Sequence, residues 1–106
     1  MQKYKLRYLT LFYKDFQEVV SYISNTLENP TAALKLIDDV EKAIKERLEC
    51  PESYAKYNSV KDRKYPYYRI KVRNFLVFYV VIEENQEKIM EVRRLLYSKR
   101  NIQDII

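Results

Sequence analysis

Arg69, Lys71 and Arg73 stand at alternate positions in the run Tyr68-Arg69-Ile70-Lys71-Val72-Arg73. An extended backbone turns all three cations to one face and the apolar residues to the other. They close a stretch, residues 54–73, with seven basic residues (Lys56, Lys61, Arg63, Lys64 and these three) against one acid, Asp62. Tyr54, Tyr57, Tyr65, Tyr67 and Tyr68 lie in the same stretch. Cations to meet phosphates, interleaved with rings on which bases stack, are what a nucleic-acid surface requires. An acidic protein partner explains the same charge equally well, and a solvated basic loop explains it with no partner at all.

Composition removes many enzymes. Glycine is absent from the 106 residues, so neither a phosphate-cradling Gly-rich loop nor a dinucleotide fingerprint can form. Histidine is absent too, which removes His-based triads, His metal sites and an imidazole general base. The single cysteine, Cys50, rules out an internal disulfide framework and a cysteine-clustered zinc site. No metal or cofactor is expected. With 47% hydrophobic and 33% charged residues, the chain reads as one globular domain over 1–106 with a thin core. The longest apolar run, Phe75 to Ile82, is far short of the ~20 residues that span a bilayer. Met1-Gln2-Lys3-Tyr4-Lys5 has no apolar signal region, and with one thiol a cytoplasmic protein is expected, without a membrane partner. The net charge of +5 is lopsided, with −1 over residues 1–53 and +6 over 54–106.

The elements that must position these cations follow from periodicity. Tyr4 to Leu9 alternates apolar with basic, as a half-buried strand does, and Thr10 is placed to cap a helix. Phe12, Phe16, Val19, Ile23 and Leu27 form one helical stripe. Asn29-Pro30 starts a second helix, whose stripe is Leu34, Ile37, Val40, Ile44 and Leu48 and whose end is Cys50-Pro51. The connection is short enough to make the pair an antiparallel hairpin. Residues 68–72 form a strand, and Arg73-Asn74 a tight turn with Asn supplying the positive φ. Phe75 to Ile82 is a central strand covered on both faces, Glu83 to Glu87 a turn, and Lys88 to Leu96 the last strand. Ser98 is placed to cap a short final helix carrying Ile102, Ile105 and Ile106. The order β-α-α-β-β-β with a short C-terminal helix makes an α+β domain, an antiparallel sheet packed on a helical hairpin.

In this order and spacing, Asn29-Pro30-Thr31-Ala32-Ala33, Cys50-Pro51, the strands 68–73 and 74–79, and Ser98-Lys99-Arg100-Asn101-Ile102 resemble the RelE/ParE superfamily. Its members are the toxins of bacterial and archaeal toxin–antitoxin modules. The resemblance runs from about Tyr4 to Ile106 and implies a growth inhibitor held inactive by a cognate antitoxin. It implies two activities. The branch resembling RelE cleaves mRNA on the ribosome with basic residues, a role that Arg69, Lys71, Arg73 and Arg100 would fill here. In-line attack by a 2′-OH needs a base, an acid for the leaving oxygen and cations for the phosphorane charge. Lys71 is the best candidate to titrate, since guanidinium does not. Leu76, however, stands where that branch keeps a further arginine, and the chain closes Asp104-Ile105-Ile106 without that branch's tyrosine.

The ParE-like branch binds DNA gyrase and needs no catalytic set. Leu96-Tyr97-Ser98-Lys99-Arg100-Asn101-Ile102 looks closer to that branch's ending, with Tyr97 in place of its His. On this reading Lys61, Arg63, Lys64, Tyr97 and Lys99 face the target or nucleic acid. The expected partners are thus an antitoxin and either gyrase or the ribosome with mRNA; a non-toxic nucleic-acid-binding module is the third reading. The antitoxin is expected to be acidic where it wraps this chain and partly disordered when free. It is expected to bury the hairpin's outer apolar residues or the C-terminal Ile102, Ile105 and Ile106.

Overall fold

Strand β1 (Tyr4–Tyr8) turns Leu6 and Tyr8 inward and Lys5 and Arg7 outward, as its alternation predicts. The computed structural model describes residues 3–57 and 64–106. Helix α1 (Thr10–Ser21) begins at Thr10 itself, and its N-cap is Leu9, which makes no side-chain capping bond. Leu9 directly follows the strand, with extended backbone and its N–H donating to the Val92 carbonyl at 2.9 Å, so helical geometry starts at Thr10, one residue earlier than a Thr10 cap requires. Phe12, Phe16, Val19 and Ile23 pack inward as expected, but Leu27 is 55% exposed. The reason is that α1 passes at Tyr22–Thr26 into a π-helical turn, whose wider repeat carries Leu27 off the stripe. Glu28, at φ 50, ends the turn in a left-handed conformation usually left to glycine, at a cost of about 1 kcal/mol.

Asn29 caps helix α2 (Pro30–Arg47), its side chain accepting the Ala32 N–H at 3.1 Å with Pro30 in the first turn. The buried stripe is Ala33, Leu36, Val40 and Ile44; Leu34 is 65% exposed. At 100° per residue Ala33 lies about 20° round the helix from Val40 and Leu34 about 120° from it, which is why the smaller residue is inside. The helix ends at Arg47, ahead of the expected Cys50-Pro51.

Strands β2 (Tyr68–Val72), β3 (Phe75–Glu84) and β4 (Glu87–Tyr97) make an antiparallel meander in a sheet of order β1-β4-β3-β2. β1 joins β4 in parallel, because no tight turn links them to impose the antiparallel pairing expected throughout. Of the two turn residues between β2 and β3 it is Arg73, at φ 55, that takes the positive φ, and not Asn74. Between β3 and β4 both Asn85 (φ 51) and Gln86 (φ 63) do, as a type I′ hairpin requires.

β3 is buried on both faces. Val77 and Tyr79 meet α1 and α2, while Leu76, Phe78, Val80 and Ile82 build a second core on the far side. In β4 the pairing jumps from Tyr79↔Val92 to Phe78↔Arg94, a β-bulge with Arg93 as the extra residue. Met90 and Val92 face the helices before the bulge and Leu95 after it. Helix α3 (Ile102–Ile105) is preceded by Asn101 as N-cap, not Ser98, and lays Ile102 and Ile106 on the second core. No helix among the described residues is long and apolar enough to cross a membrane.

Candidate functional site

β2 delivers Arg69 and Lys71 to the face away from the helices, both exposed, across from Phe78 and Leu76 on β3. The Arg69 guanidinium sits 5.1 Å from the centre of the Tyr57 ring. Arg73 does not join them. Its Nε donates to Asp39 Oδ2 at 2.6 Å, and Asp39 lies on α2, on the opposite side of the sheet. The positive φ at Arg73 breaks the strand's alternation just where the third cation was expected. The predicted single-faced trio is therefore two cations on one face and one drawn to the other.

The other predicted residues are spread further. Arg100 and Lys99 are exposed in the turn after β4. Lys64 lies near the Tyr65 ring, and Tyr97, 38% exposed, packs edge-on to Phe75 at 5.8 Å. Lys61 and Arg63 fall outside the described residues. Leu76 belongs to the second core, so a buried hydrophobe fills the place where a nuclease would keep a cation. Among the described residues Lys71, Lys99 and Arg100 make no ion pair, and no cluster of ligands could hold a metal ion. Ile102, Ile105 and Ile106 were expected to stand exposed for a partner; Ile102 (8%) and Ile106 (1%) are instead buried against Tyr67, Leu76, Phe78 and Leu96, with Ile105 packed beside them.

Tyr68 and Tyr79 are core rings, stacked 5.2 Å apart at 10°. The Tyr79 hydroxyl donates to the Pro51 carbonyl at 2.6 Å and accepts from Arg47 at 2.9 Å. Burial pushes its pKa up to about 12, so it stays protonated and holds the chain after α2 to the sheet.

Two buried carboxylates went unnoticed in the sequence. Asp15, 7% exposed on α1, accepts two bonds from Arg94 (Nε 2.7 Å, Nη2 3.0 Å) and one from the Leu95 N–H at 3.0 Å. Its signal was present: a carboxylate three residues from Phe12, inside an apolar stripe. Glu91, 4% exposed, accepts from Arg7 Nε at 2.7 Å and from Arg93 Nε at 2.8 Å.

The remaining features are apolar and on the surface. Of seven exposed large hydrophobics among the described residues, Leu11, Tyr13, Tyr22, Leu27 and Leu34 belong to the hairpin and its connection. Two hollows of ≈ 420 and ≈ 250 Å³ share Tyr13 and Phe16, and so form one furrow between α1 and α2 from Tyr8 and Ile44 to Val20 and Ile37. A separate groove of ≈ 640 Å³ lies between the π-helical turn and the β3–β4 end, walled by Val19, Tyr22, Ile23, Leu27, Phe75 and Tyr97.

Residues 6–102 match the family described as the ParE toxin of type II toxin–antitoxin systems, parDE. No curated protein sequence matches the chain significantly. Among solved structures it is similar to the chromosomal ParDE toxin–antitoxin system from P. aeruginosa, with a TM-score of 0.70 and 14% identity over 91% of this chain and 97% of that one. It is also similar to the YoeB/ParE toxin from Agrobacterium tumefaciens, with a TM-score of 0.56 and 13% identity over 88% of this chain and 97% of the other. At such identities the structural likeness shows the fold alone.

Proposed function

The chain belongs to the ParE toxin family of type II toxin–antitoxin systems, and on that premise we propose that it inhibits growth by binding DNA gyrase as a protein, without cutting RNA. One observation carries the choice. The cations a nuclease needs around one phosphate do not converge, since Arg73 is tied to Asp39 on the helix side while Arg69 and Lys71 face the other way. Leu76 in the second core removes a further cation from the same surroundings. Protein binding needs no such convergence.

The RelE-like alternative has its own support in Arg69 and Lys71, exposed side by side on one strand face with Tyr57 beneath Arg69. Transcript mapping after induction of the chain separates the two. Intact transcripts, with loss of supercoiling by purified gyrase at stoichiometric toxin, are expected. Cleaved mRNA abolished by Lys71→Ala would reverse the assignment. A non-toxic nucleic-acid module predicts no growth arrest and an affinity falling with salt at a log–log slope of roughly −0.7 to −0.9 per phosphate.

The solved ParDE system contains a toxin and its antitoxin, and a cognate antitoxin is proposed for this chain as well. The furrow between α1 and α2 suits an apolar antitoxin segment better than Ile102, Ile105 and Ile106 do, because Ile102 and Ile106 are already buried within the chain. With gyrase as target, the place of action is the cytoplasm.

A further inference from the structure

Tyr22 and Leu27 are each 55% exposed and wall the same groove, although an α-helix would set them about 140° apart. The π-helical turn brings them together. Its i→i+5 bonding joins the Leu27 N–H to the Tyr22 carbonyl at 3.0 Å, and both side chains line the groove. The arrangement is costly in a chain without glycine, since Glu28 must close the turn at φ 50. Local strain of this kind, next to unburied apolar surface, marks a place built for contact rather than for stability.

The opposite wall is Phe75 with Tyr97 edge-on to it, and the Ser98 N–H donates to the Asn74 carbonyl at 2.8 Å, fixing the strand ends. Lys99 and Arg100 follow in the turn after Tyr97 and Ser98, exposed and without an ion pair among the described residues. Among the described residues the one charge in the lining is Glu18, on the α1 side. Tyrosine walls, with two exposed cations in the turn that leaves Tyr97, complement a protein segment that offers an apolar anchor beside acidic residues. The furrow between α1 and α2 does not include Tyr22, Leu27 or Tyr97, so an antitoxin seated there leaves this groove open.

We propose that this groove is the surface with which the toxin grips gyrase, taking up an apolar side chain of the enzyme whose acidic neighbours meet Lys99 and Arg100. The proposal rests on the gyrase reading above and adds the place of contact. The test is inhibition of supercoiling by purified gyrase, comparing the wild-type chain with Tyr22→Ser/Tyr97→Ser and with Lys99→Glu/Arg100→Glu. Loss of central aromatic anchors is expected to raise the toxin concentration for half-inhibition about thirtyfold or more. The charge reversal is expected to raise it too, with the gap to wild type closing as salt is added. All four positions are exposed, so thermal unfolding should stay within a few degrees of wild type, and the Lys99/Arg100 pair supplies an answer if the tyrosine variant unfolds. Two variants that are folded and as potent as wild type would overturn the groove and leave the gyrase reading standing. A wild-type chain that leaves gyrase untouched would remove both.

Discussion

β2 and β4 both carry neighbouring cations, and the fold treats them in opposite ways. In β4 the bulge sends Arg94 to Asp15 on the helix side and keeps Arg93 beside Glu91 on the other, so each guanidinium meets a buried carboxylate. In β2, among the described residues, no carboxylate pairs with Arg69 or Lys71, while Asp39 takes Arg73 at the next turn. Similar stretches of sequence therefore do different jobs. Arg94 binds the sheet to α1 and Arg93 shares Glu91 with Arg7 of β1, while two cations of β2 stay exposed. What separates a structural cation from an available one is where the rest of the chain delivers its acids.

The largest effect should come from breaking the β4 arrangement. Asp15→Ala leaves Arg94 one partner short in a mostly buried place and strands the Leu95 N–H. A loss of about 3 kcal/mol is expected in urea denaturation. Asp15→Leu/Arg94→Met, which removes the charge together with its partner, should recover part of that loss; if it is no better than the single change, the pair is not what holds α1 to β4. Glu91→Gln comes next, at about 1–3 kcal/mol, because Arg7 and Arg93 then share one neutral acceptor.

Arg69→Ala and Lys71→Ala sharpen the comparison from the other side. Both positions are exposed, and their removal should move stability by no more than about 0.5 kcal/mol. Growth arrest is expected to survive both changes. A toxin silenced by Lys71→Ala at full stability would make β2 the working strand and the gyrase reading wrong.

Much of this was legible in the sequence. The strand and helix periods, the Asn29 cap, the double burial of Phe75 to Ile82 and the polar turn at Asn85 each follow from spacing or from one residue's chemistry. What could not be read required contacts between distant residues. The bulge at Arg93 depends on how β4 meets β3, and the departure of Arg73 on an acid 34 residues earlier. The burial of Ile102 and Ile106 depends on an apolar sheet face that leaves room for α3. Leu34 misled because Ala33 is small, and in a helix the angle to the core matters more than size.

The smallest predicted effect concerns the paired starts of β1 and β4, where a carboxylate is shared but stays near solvent. Glu52, in the loop after α2, accepts from Lys88 Nζ at 2.7 Å and from the Tyr4 hydroxyl at 2.8 Å. The bond from Lys88, and then that from Tyr4, hold its carboxyl below the ordinary value of 4.5, and the same bond to Glu52 raises Lys88 above 10.5. A carboxyl lowered on folding adds stability above its unfolded pKa and loses it as pH falls through the folded one. An ammonium raised on folding adds stability below its unfolded pKa and loses it as pH rises through the folded one. The contact is thus complete between about pH 5 and 10 and fails at both ends. Tm measured across pH 3–10 should fall more steeply below pH 5 in wild type than in Glu52→Gln, the two curves converging in acid. Parallel curves would mean that this exposed contact adds nothing, and that only cations with buried partners, such as Arg93 and Arg94, hold the sheet together.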